Sequence, residues 1–505
     1  MKKFDFSEIF FNNISFNFKQ SFDEKYFNLL LIDREEKISK RKFHNISKQI
    51  RRRIWFTPEL KIIFFLILIR LPFIIFTHFG MDFNFYIEIT QKYLAGESLY
   101  TDIPTTHMPL VDFIYITMFF ICPWKDNIFA VRIFMKFPFL ICDIVIAIMI
   151  MKIVENDRKI TQINNPFTSQ DQYEKLKKEK IICGYFIAFC IPLIFQSAGG
   201  RYDSLLILCF VMVVYYMQKN NWFGIAFFSA LGTSTKYIGL IILPFILIWI
   251  KKEDLIHFAI GLILGLTPTI LFLVILPEEF FQLLTQRSEH IAYGFSIWHA
   301  IFIIWNGFNM KFVRTVDDTY DSSGEPFFVR ESYLPTFFIL YAIIFYVYFM
   351  KNQFQYNNTQ ISELPLLKIL AILFVPLFIF SLTFKAVNLQ ILAWFIPFIA
   401  LNKKRGLLIE YSILTILHGF SLVCFEIYNA ENFMELVGSA APEGSIFYNL
   451  VIMPAFKFTQ IIPMKIWVGI IFLTIIWFIL RTSFELFKSV KNACSSNNIR
   501  IISTN

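Results

Sequence analysis

The feature that most constrains this chain is its series of apolar runs long enough to cross a bilayer. Runs such as Leu60–His78, Val131–Val154, Leu255–Leu276 and Leu366–Phe384 match the roughly 20 residues a helix needs to traverse the hydrocarbon core. Backbone in lipid must satisfy its own polar groups, and uninterrupted runs of this length do so as helices. Composition agrees: 56% of the residues are hydrophobic and 17% charged, where soluble domains carry about 25% charge. The sequence therefore predicts an all-α polytopic membrane protein embedded in a lipid bilayer. The net charge of +9 does not require nucleic acid, because basic loops retained on the inner side of a membrane produce it.

Residues 1–59 are polar, hold 13 Lys/Arg against 8 Asp/Glu, and end in Arg51-Arg52-Arg53. No cleavable leader is visible, and the acids argue against a transit peptide. The expectation is a cytoplasmic tail, with or without an amphipathic helix on the lipid surface. The tail inside places Gly80 onward outside. The next apolar piece, Pro109–Pro123, is short and bounded by proline. It reads as an interfacial helix, with Phe83–Leu94 as a second. Helices follow at 131–154, 181–197, 204–217, a hairpin within 222–250 that turns near Thr235-Lys236, 255–276, 334–350, 366–384, 389–401, 407–428 and 466–480. Residues 277–333 form a long outside segment, and 447–463 is amphipathic. The result is about twelve spans with both ends inside, and Lys and Arg favour the inside by roughly three to one. The expected organisation is a tail (1–59), a membrane module (60–401), C-terminal membrane helices (402–481) and a second tail (482–505).

Seven cysteines fall mostly within apolar runs, and none forms a CxxC pair. Neither a disulfide framework nor a zinc site is indicated.

On this topology the polar residues gather on the outer face. The stretch GMDFNFYIEITQKYLAGESLYTDIPTTHMPL (80–110) carries Asp82, Glu88 and His107. Asp82 stands at interface depth, where a lone carboxylate is costly. Arg201 and Asp203 follow the third helix, Lys236 marks the hairpin turn, and Arg287 and His290 lie in the long outside segment. Lys385, Asn388 and Gln390 separate two late helices. Each has a structural alternative: the lysines as snorkelling anchors, Asp203 as a helix-start acid. Charges inside the helices, namely Arg70, Lys136, Asp143 and Lys368, read as pairs within the bundle.

The run DFNFYIEITQKYLAGESLY followed by THMPL resembles the first external loop of the GT-C superfamily of glycosyltransferases, and among them the multi-spanning mannosyltransferases. The matching positions are Asp82, Tyr86, Gly96, Ser98, Tyr100, Pro109 and Leu110. KFPFLICDIVIAI, SAGGRYDSLLIL, SALGTSTKYIGLIILP and FKAVNLQILAWFIP agree in order, through Lys136, Asp143, Asp203, Lys236, Pro244, Lys385, Gln390, Trp394 and Pro397. The resemblance covers most of residues 60–400. It implies transfer of a hexose, mannose favoured, from a polyprenyl- or dolichyl-phosphate sugar to a hydroxyl of a lipid-linked glycan or protein, with inversion. In that reading Asp82 is the base, and Asp203 is a second catalytic residue that orients acceptor or cation. Arg201, Lys236, Lys385, Arg287 and His290 face the leaving phosphate, and Tyr86, Glu88, His107 and Gln390 complete the binding residues. Many members carry a pair of acids in this loop, whereas Gly80-Met81-Asp82 leaves one. No cofactor is assigned: a divalent cation is the single candidate, and one acid supports it weakly. The membrane is that of an archaeal or bacterial cell or of the endoplasmic reticulum, with the site on the external or lumenal face. Two other classes stay open at this point: a polysaccharide ligase or polymerase working through Arg287 and His290, and a non-enzymatic transporter.

Overall fold

A computed structural model describes residues 57–76, 81–97, 99, 108–164, 170–286, 293–294, 296–308, 327–356, 359–384, 386–387, 391–402, 405–429, 457–458 and 461–502. The chain divides into Met1–Lys61 and Ile62–Asn505, and of the first unit only residues 57–61 are described. The expected surface helices of the N-terminal tail and of 447–463 lie almost wholly outside the described residues.

Among the described residues the elements are helical, apart from one short strand pair. The first helix, α1, is Pro58–Phe76, followed by α2 (Met81–Leu94) and α3 (Pro109–Ile121). At 13 residues α3 is about 20 Å long, too short to span, and Pro109 sits in its first turn, where its missing N–H costs nothing. Next come α4 (Ile128–Asn164), α5 (Gln170–Phe189), α6 (Ile191–Ala198), α7 (Asp203–Gln218) and α8 (Trp222–Thr235). A 3-10 turn over Tyr237–Ile242 leads into α9 (Leu243–Leu247), then α10 (Leu255–Ile275) and α11 (Pro277–Gln286). Strand β1 (Tyr293–Gly294) precedes α12 (Ile297–Trp305), α13 (Phe327–Tyr356) and α14 (Leu366–Thr383), and β2 (Ala386–Val387) precedes α15 (Ile391–Trp394) and α16 (Ile396–Leu401). The last helices are α17 (Arg405–Asn429) and α18 (Met464–Ile502).

Among the described residues five helical segments are long and apolar enough to cross a membrane: Phe129–Asp157, Lys252–Ile275, Glu331–Met350, Leu366–Thr383 and Met464–Lys488. The pair α5–α6, bent by 46°, makes a sixth if taken as one span. The expected continuous helix at 181–197 is thus broken at Cys190, and the reason is chemical. Pro192 has no N–H to give the Ala188 carbonyl. Arg70 of α1 supplies that donor, Nη1 to Ala188 O at 2.8 Å, and its Nη2 donates at 2.9 Å to Ile187 O, which also accepts from Cys190 N at 3.4 Å. Its Nε donates to Asp143 Oδ2 of α4 at 2.7 Å, both side chains being fully buried. The single late helix expected at 389–401 is likewise two pieces, broken at Phe395 ahead of Pro397. The second arm of the expected 222–250 hairpin is the 3-10 turn and α9, with Pro244 at its start.

One apolar core runs through α4, α5, α7, α9, α14, α16 and α18. Two features position the site at one end of it. The α2–α3 pair packs over the start of α7 through Tyr86, Val111, Tyr115 and Tyr202, together with Phe139 of α4. Helix α8 lies unusually close to α10. A Cβ on Gly261 would stand 2.4 Å from Phe223 O, and one on Gly265 2.4 Å from Phe227 O and 2.6 Å from Ala230 Cβ. These glycines are one turn apart on one face, the spacing that lets membrane helices touch backbone to backbone. Ser234 Oγ donates to Gly265 O at 2.9 Å, which fixes the end of α8 just before Lys236. Gly265→Val is expected to lower stability by about 1–3 kcal/mol, read as the unfolding midpoint of the purified protein. Gly406→Ala, whose new Cβ meets nothing within 4 Å, should leave it nearly unchanged.

Candidate functional site

The site is built where α7 starts and α8 ends. α6 closes at Ala198, and the chain turns through Gly199-Gly200-Arg201-Tyr202, with Gly200 at φ +62°, a left-handed conformation that glycine adopts freely. The turn delivers Asp203 to the first position of α7, with no exposure at all. Asp203 does not cap its own helix. Its Oδ1 accepts from Lys236 Nζ at 3.1 Å and from Trp394 Nε1 of α15 at 2.8 Å. Its Oδ2 is buried without a hydrogen-bond partner among the described residues. Lys236, in extended backbone between α8 and the 3-10 turn, is also buried. Its ammonium lies 4.8 Å from the Trp394 ring centre and 5.4 Å from that of Tyr202, within cation–π range. The sequence places Lys236 at a hairpin turn, where a snorkelling anchor is one reading. The structure instead folds it inward, because a buried carboxylate and two aromatic faces replace the water its charge loses.

Tyr86, from the stretch 80–110, joins this centre indirectly. Its ring stacks on Tyr115 of α3 at 4.2 Å, and Tyr115 Oη donates to Gly200 O within the turn. Tyr86, Tyr202, Asp112 and Asp203 all neighbour the Tyr115 phenol. Asp82 lies in α2 one turn before Tyr86, so the helix carrying it is anchored above the Asp203 turn. Glu88 is not part of this cluster: it is exposed and pairs with Lys92 at 2.9 Å along the same helix, an arrangement that raises the Lys92 pKa. Two residues on from Tyr86, it faces the opposite way. Arg201 is half-buried in the turn, its N–H donating to Gln196 O at 2.8 Å.

The late segments reach the same end. Tyr237, next to Lys236, contacts the ring of Phe384, next to Lys385, at 6.5 Å. Trp298 Nε1 donates to Thr383 O at 2.6 Å. Strands β1 and β2 pair in parallel, Tyr293 with Ala386 and Gly294 with Val387. This joins the long segment after α10 to the segment between α14 and α15. His107, Arg287, His290, Lys385, Asn388 and Gln390 themselves lie outside the described residues, as does the Asp82 side chain.

Sequence reading missed the roles of Trp394, Tyr202, Tyr115 and Asp112. Trp394 had a signal: an indole N–H in an apolar helix needs an acceptor, but nothing local showed that Asp203, 191 positions away, supplies it. Asp112, in the first turn of α3, is an acid 2% exposed within an apolar run.

No family model matches this chain, and no curated protein is detectably similar to it.

Proposed function

We propose that the chain is an inverting glycosyltransferase of the membrane that moves a hexose, mannose favoured, from a polyprenyl-phosphate sugar to a hydroxyl acceptor. The observation that carries this reading is the meeting of Asp203, Lys236 and Trp394 from three separated helix ends, beneath the helix that bears Asp82. Acid, cation and aromatic groups at one end of an apolar bundle suit a lipid-linked donor whose sugar and phosphate sit at the membrane surface. In the proposed step the acceptor oxygen attacks the anomeric carbon while its proton passes to the Asp82 carboxylate. The bond from that carbon to the phosphate oxygen breaks, and its electron pair leaves with the polyprenyl phosphate. Cations stabilise the charge that develops there. Arg201, Arg287, His290 and Lys385 take this role, and Lys236, already paired, acts chiefly on Asp203.

The proposed topology has twelve spans with both ends in the cytoplasm and the site on the external or lumenal face. A cysteine placed at Gln170 should react with an impermeant maleimide only from the inside, and one at Asp317 only from the outside. Labelling of position 170 from outside removes the twelve-span arrangement. The reaction itself is tested in sealed vesicles of known orientation, with a water-soluble short-chain polyprenyl-phosphate sugar added to one side at a time. Consumption from the external side alone is expected. No consumption from either side removes the transferase reading.

A further inference from the structure

Resting on the transferase reading, we propose that Asp203 Oδ2 is the acceptor of a sugar hydroxyl, in a subsite that Trp394 positions and that selects the hexose rather than the phosphate. An ionised carboxylate can accept several hydrogen bonds on each oxygen. Here both described donors, Lys236 Nζ and Trp394 Nε1, converge on Oδ1, and Oδ2 is left buried with none. A buried acceptor of this kind needs a donor.

Charge decides which donor. The Asp203 negative charge is balanced by Lys236, and that ammonium rests against the rings of Trp394 and Tyr202. The pair is neutral overall and its remaining hydrogen-bonding atom is a buried acceptor, so a phosphate oxygen is repelled and a neutral O–H is bound. Rigidity decides how selective the contact is. Two donors fix the carboxylate plane from one side, and the Tyr115 bond to Gly200 O holds the preceding turn. One hydroxyl direction is therefore accepted. A site built around one substrate hydroxyl rejects analogues lacking it far more strongly than an apolar pocket rejects a missing methylene. Trp394 is a positioning residue in this scheme: its indole holds Oδ1, and its ring supports the Lys236 ammonium.

The test uses the purified full-length protein. Transfer is measured with polyprenyl-phosphate mannose, glucose and galactose, and binding with polyprenyl phosphate alone. Wild type should prefer one hexose by about 10²-fold or more in kcat/KM. Asp203→Asn/Lys236→Met removes both buried charges together, so neither is stranded, and should cut that preference to within about tenfold. Its affinity for polyprenyl phosphate should match that of wild type. Trp394→Phe keeps a ring and deletes the donor, and should weaken the preference without changing polyprenyl-phosphate affinity. Retained preference in a monodisperse double variant overturns the subsite. Loss of polyprenyl-phosphate affinity with sugar preference intact also overturns it, by making this a phosphate site. A wild-type chain that turns over none of the three donors overturns the transferase reading and the subsite with it.

Discussion

Asp82→Asn is expected to lower turnover by about 10²- to 10⁴-fold while leaving donor affinity unchanged. Asparagine keeps the size and reach of the side chain and loses only the capacity to take a proton as a carboxylate does. The placement of Asp82 makes this a sharp test. It stands one turn before Tyr86 in α2, and α2 is held down by the Tyr86–Tyr115 stack and the Tyr115 bond to Gly200. Those contacts survive the substitution, so the Asp203 turn stays in place. Sugar transfer and donor affinity are measured on the same monodisperse variant. Near-normal transfer takes Asp82 out of catalysis and moves weight to Arg287 and His290, as the ligase reading holds.

Arg70→Met is expected to destabilise the protein by about 3–5 kcal/mol, because it strands a buried carboxylate. The loss exceeds that of a simple ion pair, since the same guanidinium also serves the carbonyls of Ile187 and Ala188 at the α5–α6 break. Arg70→Met/Asp143→Leu removes both charges and should recover a large part of the loss. The remainder reports the guanidinium bonds lost at Ala188 O and at Ile187 O, the latter keeping the Cys190 N–H. Unfolding midpoints of the two variants measure this, and equal destabilisation of single and double variants would show that the ion pair contributes nothing.

Much of the helical framework was legible from apolar run length alone. The runs at 58–76, 109–121, 255–275 and 366–383 begin and end within two or three residues of their expected bounds, because a charge, glycine or proline marks each end. What was not legible is where a proline breaks a helix without ending the apolar run, as at Pro192 and Pro397. Hydropathy does not register a lost N–H. Of the site, sequence reading found Asp203 and Lys236 as polar residues at helix mouths and grouped them on one face. It did not find that they pair with each other, nor that Trp394 completes the pair. Those contacts join residues 33 and 191 positions apart, and no periodicity encodes such distances. In the sequence Arg70 and Asp143 stand as charges inside apolar runs, and their shared role at the α5–α6 break follows only from the bend.

The central claim is that one end of this helical bundle transfers a sugar from a lipid phosphate. Its most direct test incubates the purified protein with a panel of polyprenyl-phosphate hexoses and an alcohol acceptor, and follows release of the free lipid phosphate. The account predicts stoichiometric release and glycoside formation from one hexose donor, with release reduced by about 10²-fold or more in Asp82→Asn. Release from no donor contradicts it, and equal release by wild type and Asp82→Asn leaves transfer standing but removes Asp82 as its base.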